Sequence, residues 1–127
     1  MSLASAKFVS YDVEPFLPSL FTHGTLSTSA YPPTRAAGLL PLNIYYSWGL
    51  QVDDALMRDA AVQSAAQLTR VAVAEGQDVA DAPLYGNYAM AGTPAERIFG
   101  DSLPRMQATK KKYDPDNVMG LAGGWKI

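Results

Sequence analysis

Cysteine is absent from this chain of 127 residues. That excludes disulfides, thiolate nucleophiles, thiolate metal ligands and a cysteinyl cofactor bond. Histidine is nearly as scarce, with His23 alone, so a metal would have to rest on carboxylates. The acidic pairs, Asp53-Asp54 and Asp114 with Asp116, read as capping and turn residues, and no metal is expected. Charge of one sign is lacking as well. Ten basic against twelve acidic side chains leave a net charge of −2, without the basic footprint that nucleic acid or an anionic membrane requires. Long hydrophobic runs are missing, and Met1 to Ser10 has one lysine and no apolar core of signal-peptide type. A soluble cytoplasmic protein that binds neither nucleic acid nor membrane is expected. No serine sits in a nucleophile-elbow pattern, and no glycine-rich phosphate turn leads into a helix.

What is present is the balance of a globular protein: 48% hydrophobic residues with interspersed charges. The length fits one domain over residues 1–127, with no repeat and no dividing linker. So short a chain buries only about two-thirds of its unfolded surface, and a homodimer that hides more apolar area is expected.

Phe8 to Val13 is rich in β-branched and aromatic residues and predicts a strand that ends before Pro15. A second extended piece is expected from Thr25 to Tyr31, closed by Pro32 and Pro33. Leu42 to Trp48 alternates, with Leu42, Ile44, Tyr46 and Trp48 on one face and Asn43, Tyr45 and Ser47 on the other. The first set would pack and the second bind. Asp53 or Asp54 caps a helix running to about Glu75, where Gly76 supplies a left-handed stop. Met57, Ala61, Ser64, Leu68, Val71 and Ala72 give that helix a stripe for a sheet. Leu84 to Met90 reads as a short strand or extended loop. Thr93, Pro94 and Glu96 form a capping-box start. A last helix, about Asp101 to Tyr113, ends in Lys110, Lys111 and Lys112, which suit the negative end of its dipole. Asp114-Pro115-Asp116-Asn117 then forms a turn. The order predicts an α+β fold with an antiparallel sheet packed on one face by helices.

The closing residues Lys112-Tyr113-Asp114-Pro115-Asp116-Asn117-Val118-Met119 and Gly123-Gly124-Trp125-Lys126-Ile127 resemble the terminal signature of berberine-bridge-type flavin oxidases. Tyr85-Gly86-Asn87-Tyr88 resembles the tyrosine, any residue, asparagine, tyrosine element of that family, and Phe99-Gly100-Asp101 to Lys112 resembles the helix joining the two motifs. Ser29-Ala30-Tyr31-Pro32-Pro33-Thr34-Arg35 and the strand ending in Trp48 are similar to two strands of its substrate-facing sheet. The resemblance implies a ferredoxin-like remnant of the substrate domain without the separate flavin-binding domain, hence no cofactor of its own, with FAD entering only from a partner or an interface. It also implies that Tyr85, Asn87 and Tyr88 line the substrate or flavin.

Many relatives place an acidic base after a glycine pair in the strand before the alanine, aromatic, proline segment. Here Leu17-Pro18 replaces the pair, and Thr22 and His23 stand where the carboxylate would. An imidazole is a common general base, so His23 can serve as base, and Glu14 is the other candidate. Tyr45, His23 and Glu14 are therefore the expected catalytic groups, and Tyr11, Asn43, Ser47, Trp48, Tyr85, Asn87 and Tyr88 the expected substrate-binding residues. The function expected is a flavin-independent enzyme of secondary metabolism. It would bind an apolar or polyketide-like intermediate and promote a non-redox cyclisation, cycloaddition or isomerisation by orientation and hydrogen bonding. The alternative is a non-catalytic assembly subunit, or the C-terminal fragment of a split FAD-linked oxidase.

Overall fold

β1 (Ala6–Val13) and β2 (Leu42–Trp48) pair antiparallel in a two-stranded sheet, in a computed structural model that describes residues 5–25, 27–32 and 38–127. Both strands fall where alternation and β-branched composition predict them. The register sets Val9 against Tyr46, Ser10 against Tyr45, Tyr11 against Ile44 and Asp12 against Asn43, with an irregularity between Ala6 and Phe8. Directly opposed residues share a face in an antiparallel pair. One face therefore carries Val9, Tyr11, Val13, Leu42, Ile44 and Tyr46, and the other carries Phe8, Ser10, Asp12, Asn43, Tyr45 and Ser47.

The chain divides into two units, Met1–Glu14 with Pro41–Ala82, and Pro15–Leu40 with Pro83–Ile127. The first holds the sheet and the helix α2 (Asp54–Ala74), which starts after a 3-10 turn at Gln51–Asp53 and ends beside Gly76 at φ 85°, as the glycine predicts. Neither aspartate at its start caps the helix. The turn already gives Asp53 helical dihedrals (φ −92°, ψ 0°), a backbone unlike the extended one from which an N-cap side chain reaches forward. Asp53 instead accepts a hydrogen bond from the Ser5 hydroxyl, and Asp54 accepts one of 2.7 Å from the Trp48 indole. Two carboxylates thus tie strand ends to the head of the helix. Met57 is 1% exposed, and Ala61 and Ser64 follow it half-buried on the same side. The stripe then outruns its cover. A helix of 21 residues is about 31 Å long, more than two strands shield, and Leu68 and Val71 stay exposed.

In the second unit, α1 (Pro18–Phe21) forms a single turn with Pro18 in first position, where its fixed φ is pre-set for helix. The strand expected over Thr25–Tyr31 is not formed in its described residues. Thr28 turns back, its amide and hydroxyl both donating to the Thr25 carbonyl at 3.0 Å. Such local side-chain bonds compete with ladder formation. Pro33, Thr34 and Arg35 lie outside the described residues, so the strand that pairs with β2 is Ala6–Val13 and not the described part of the Ser29 segment. The Leu84–Met90 segment is a loop of turns, with the Tyr88 and Ala89 amides both donating to the Tyr85 carbonyl.

The capping box at Thr93 and Glu96 is likewise not made. The Thr93 amide closes a turn on the Met90 carbonyl, and α3 (Glu96–Phe99) begins only at Glu96, with Ala95 at its N-cap and no side-chain cap. Gly100, at φ 47°, breaks the helical path, so a 3-10 turn over Gly100–Ser102 precedes α4 (Leu103–Tyr113). Among the described residues, Phe21, Pro32, Ile98 and Leu103 are the buried apolar residues of this unit.

The terminal turn behaves as its sequence predicts. Asp114 accepts from the amides of Val118 (2.7 Å) and Met119 (3.3 Å) and pairs with Lys110 at 2.7 Å, while Asn117 takes φ 55°. The hydrogen bond from Lys110 foremost, with those amides, holds the Asp114 carboxyl below its ordinary range. A carboxylate with a depressed pKa stabilises the fold at pH values above its unfolded pKa, and that contribution fades as pH falls through the folded one. In urea melts followed against pH, Asp114→Asn should therefore lower the midpoint near neutrality. The gap to wild type should close below about pH 4; a gap independent of pH would show that the charge is irrelevant.

Candidate functional site

Three aromatic residues of the second unit, Phe16, Tyr31 and Tyr88, meet Tyr85. Its ring meets Phe16 edge-on (centroids 5.1 Å, 86°), Tyr88 edge-on (5.0 Å, 83°) and Tyr31 at a tilt (5.7 Å, 42°), within the range in which such pairs add to simple burial. Phe16 is held by a two-way backbone bridge to Leu39 (2.8 and 2.9 Å). A Cβ on Gly38 would lie 2.8 Å from the Phe16 carbonyl oxygen, so glycine at position 38 is what lets the two segments close. Gly86, at the variable position of the tyrosine-asparagine element, has a similar part. A Cβ there would come within 3.1 Å of the Trp125 indole nitrogen and 3.6 Å of Ile98 Cγ2. The two stretches that resembled one family by sequence are thus packed against each other.

Polar groups sit on this aromatic wall. The Asn87 Nδ2 donates 2.7 Å to the Tyr85 hydroxyl, which leaves the phenolic proton of Tyr85 to be donated elsewhere. The Tyr31 hydroxyl is buried; burial first, and the neighbouring Tyr85 second, push its pKa up, so Tyr31 stays a neutral phenol. Asn87 is exposed, and Tyr85 and Tyr88 are half-buried. An aromatic cluster with an amide and phenols at its rim can hold a flat apolar ligand and hydrogen-bond its oxygen.

The remaining expected residues fall as follows. His23 is exposed after α1, in an open depression with Pro15, Leu17, Ser19 and Leu20, in the same unit as Tyr85. Glu14, Tyr45, Asn43, Ser47, Tyr11 and Trp48 belong to the other unit. Tyr45 and Ser47 are exposed on the sheet face away from α2, as alternation predicts, whereas Asn43 on that face is buried. Tyr11 and Trp48 turn the other way. Tyr11 shares a hydrogen bond of 2.8 Å with Ser64 of α2, Tyr46 shares one of 3.2 Å with the same hydroxyl, and Trp48 is bound to Asp54.

Ser64 was legible only as a small residue in the helix stripe; its hydroxyl role depends on two strands arriving above it. The Ser64 bond, and secondarily that to Tyr46, lower the Tyr11 pKa. In an alkaline ultraviolet titration, phenolate absorbance should start to rise at lower pH in wild type than in Ser64→Ala. Coincident curves would show that the hydroxyl cluster does not stabilise the phenolate.

A flavin would need a cradle for its diphosphate. Gly123 and Gly124 have positive φ (88° and 80°) and open space around them, but Trp125-Lys126-Ile127 follows them with no helix. The pair does not supply the backbone nest of a dinucleotide turn. Among the described residues, no helix is long and apolar enough to cross a membrane, and no group of three His, Cys, Asp or Glu is placed to hold a metal ion.

Comparison with known proteins agrees with the motif geometry. The family described as "Berberine and berberine like" matches residues 84–122, the stretch from the tyrosine cluster through the terminal turn. The FAD-linked oxidoreductase fogF of Aspergillus ruber is 36% identical over 93 residues, 72% of this chain and 18% of that protein, so the chain spans under a fifth of its relative's length. No solved structure matches. Residues 84–122 thus carry the berberine-like C-terminal region, and the chain is similar over part of its length to an FAD-linked oxidoreductase.

Proposed function

We propose that this chain forms the substrate-side wall of a berberine-bridge-type reaction: it holds a flat, apolar, oxygen-bearing natural-product intermediate against Tyr85, Tyr88, Phe16 and Tyr31. The observation that carries the reading is the bond from Asn87 to the Tyr85 hydroxyl within the aromatic cluster. With its lone pair engaged by the amide, the phenol is oriented to give its proton to a substrate oxygen. Such a donor stabilises charge developing on a carbonyl or phenol oxygen without moving electrons itself. Redox equivalents, where the reaction needs them, come from a flavin-bearing segment outside these 127 residues, in keeping with the FAD-linked relative.

The same cluster also serves a flavin-independent ring closure or isomerisation. Holding reacting atoms close and donating one hydrogen bond suffices for that chemistry. This second reading is supported by the Asn87–Tyr85 pair, which can donate its hydrogen bond without an electron carrier. His23, in the same unit as Tyr85, is the proton carrier of this proposal.

Turnover of an apolar polyketide-like precursor, with and without an added flavoprotein and with oxygen excluded, separates the two. Product formed anaerobically by the protein alone supports the non-redox reading; a strict need for the flavoprotein supports the first. In either, Tyr85→Phe should lower turnover by about 10²-fold, the order measured for loss of one oxyanion donor. Unchanged turnover in Tyr85→Phe and Asn87→Ala would refute the site.

A further inference from the structure

We propose that the outer edge of β1 pairs with β1 of a second copy of this chain, antiparallel and centred on Tyr11, to make a four-stranded sheet with both α2 helices on one face. The inference starts from backbone direction. The Glu14 amide donates to the Pro41 carbonyl on the β2 side. Along an antiparallel strand, inward and outward pairs alternate, so Ser10 and Asp12 also point their backbone groups at β2. Val9, Tyr11 and Val13 point theirs outward. The described residues form a sheet of two strands only, so these outward groups have no ladder partner there.

Those three residues are also large, apolar and about half exposed, at 48%, 48% and 55%, and they share one face. The edge lacks most of the usual protection against pairing. There is no proline in Ala6–Val13, and the lysine, Lys7, sits at the irregular end of the strand.

A second copy fits this edge because the edge is complementary to itself. A two-fold axis perpendicular to a sheet reverses strand direction and keeps each face on its own side. With the axis at Tyr11, Val9 meets Val13 of the second copy, Tyr11 meets Tyr11, and Val13 meets Val9, all three as hydrogen-bonded pairs. On the opposite face Ser10 meets Asp12. Shifting the axis to Asp12 would set the two Asp12 carboxylates directly against each other, a like-charge pair that destabilises the ladder; shifting it to Ser10 would set Lys7 against Val13, and shifting it to Val9 would set Lys7 against Tyr11. The isologous arrangement is the commonest closed symmetry. Surface is available for it. Leu68 and Val71 of α2 contribute further exposed apolar area.

Light scattering of the whole chain at micromolar concentration should give twice 13.6 kDa. Val9→Lys/Val13→Lys, which sets lysine against lysine, should give a folded monomer by circular dichroism. Mixing it with Val9→Glu/Val13→Glu should restore a heterodimer. Residue-resolved amide exchange on wild type covers the case in which the variants fail to fold. Protection at Val9, Tyr11 and Val13 should increase with protein concentration, while Ser10 and Asp12 stay unchanged. A wild-type monomer, a dimer that persists with the lysine pair, or outward amides that exchange fast at every concentration would each overturn the proposal.

Discussion

Replacing Ile98 with alanine should cost the second unit about 2–5 kcal/mol, the usual range for truncating a buried isoleucine to alanine. Ile98 is 0% exposed. It sits in α3, a helix of only four residues that has too few internal bonds to persist without packing. Its Cγ2 lies beside Gly86, so the cavity would open under the segment that carries Tyr85 and Asn87. Whole domains are stable by roughly 5–15 kcal/mol, so this one change would consume a large fraction of that. The chain has two tryptophans, one in each unit, which makes the test clean. In a Trp48→Phe background, Trp125 fluorescence should report an early unfolding transition for Ile98→Ala. A loss below about 1 kcal/mol would mean that the surroundings collapse onto the gap and that Ile98 does not organise the site.

Met57→Ala is the matching change in the first unit, also expected to cost about 2–5 kcal/mol. Of the buried apolar residues Phe21, Pro32, Met57, Ile98 and Leu103 among those described, Met57 belongs to the unit built from the sheet and α2, and the other four to the second. The first unit therefore rests on a thin core supplemented by polar ties: Ser5 to Asp53, Trp48 to Asp54, and Tyr11 and Tyr46 to Ser64. Each such bond adds only about 1 kcal/mol net, so the ties cannot replace the lost packing. In a Trp125→Phe background, Trp48 emission should shift at markedly lower denaturant in Met57→Ala than in its parent. An equal midpoint would place the stability of this unit in the polar ties instead. If the β1 edge is covered by a second copy, the loss should also grow as protein is diluted, because dimerisation and folding are then linked.

Local patterns in the sequence were enough for β1, β2, α2 and α4, for the stop at Gly76 and for the Asp114 turn. Each depends on interactions over a few residues: alternation, three-and-four spacing, a left-handed glycine, a side chain reaching its own backbone. The missing cysteine excluded thiolate chemistry from these residues on composition alone. The terminal motifs pointed to the family later matched over residues 84–122.

Tertiary structure decided what meets what. Ser5 reaches Asp53 across 48 residues and Arg105 reaches the Ser27 carbonyl across 78, contacts for which no local rule exists. The same is true of the strand that joins β2, of Trp125 lying over Gly86, and of Tyr11 turning to Ser64 instead of the open face. Thr93 and Asp53 had the composition of caps and lost that role because turns beside them set the backbone first. Short-range energies choose the elements, and their partners are chosen by the burial and hydrogen bonding that become available only when distant segments come together.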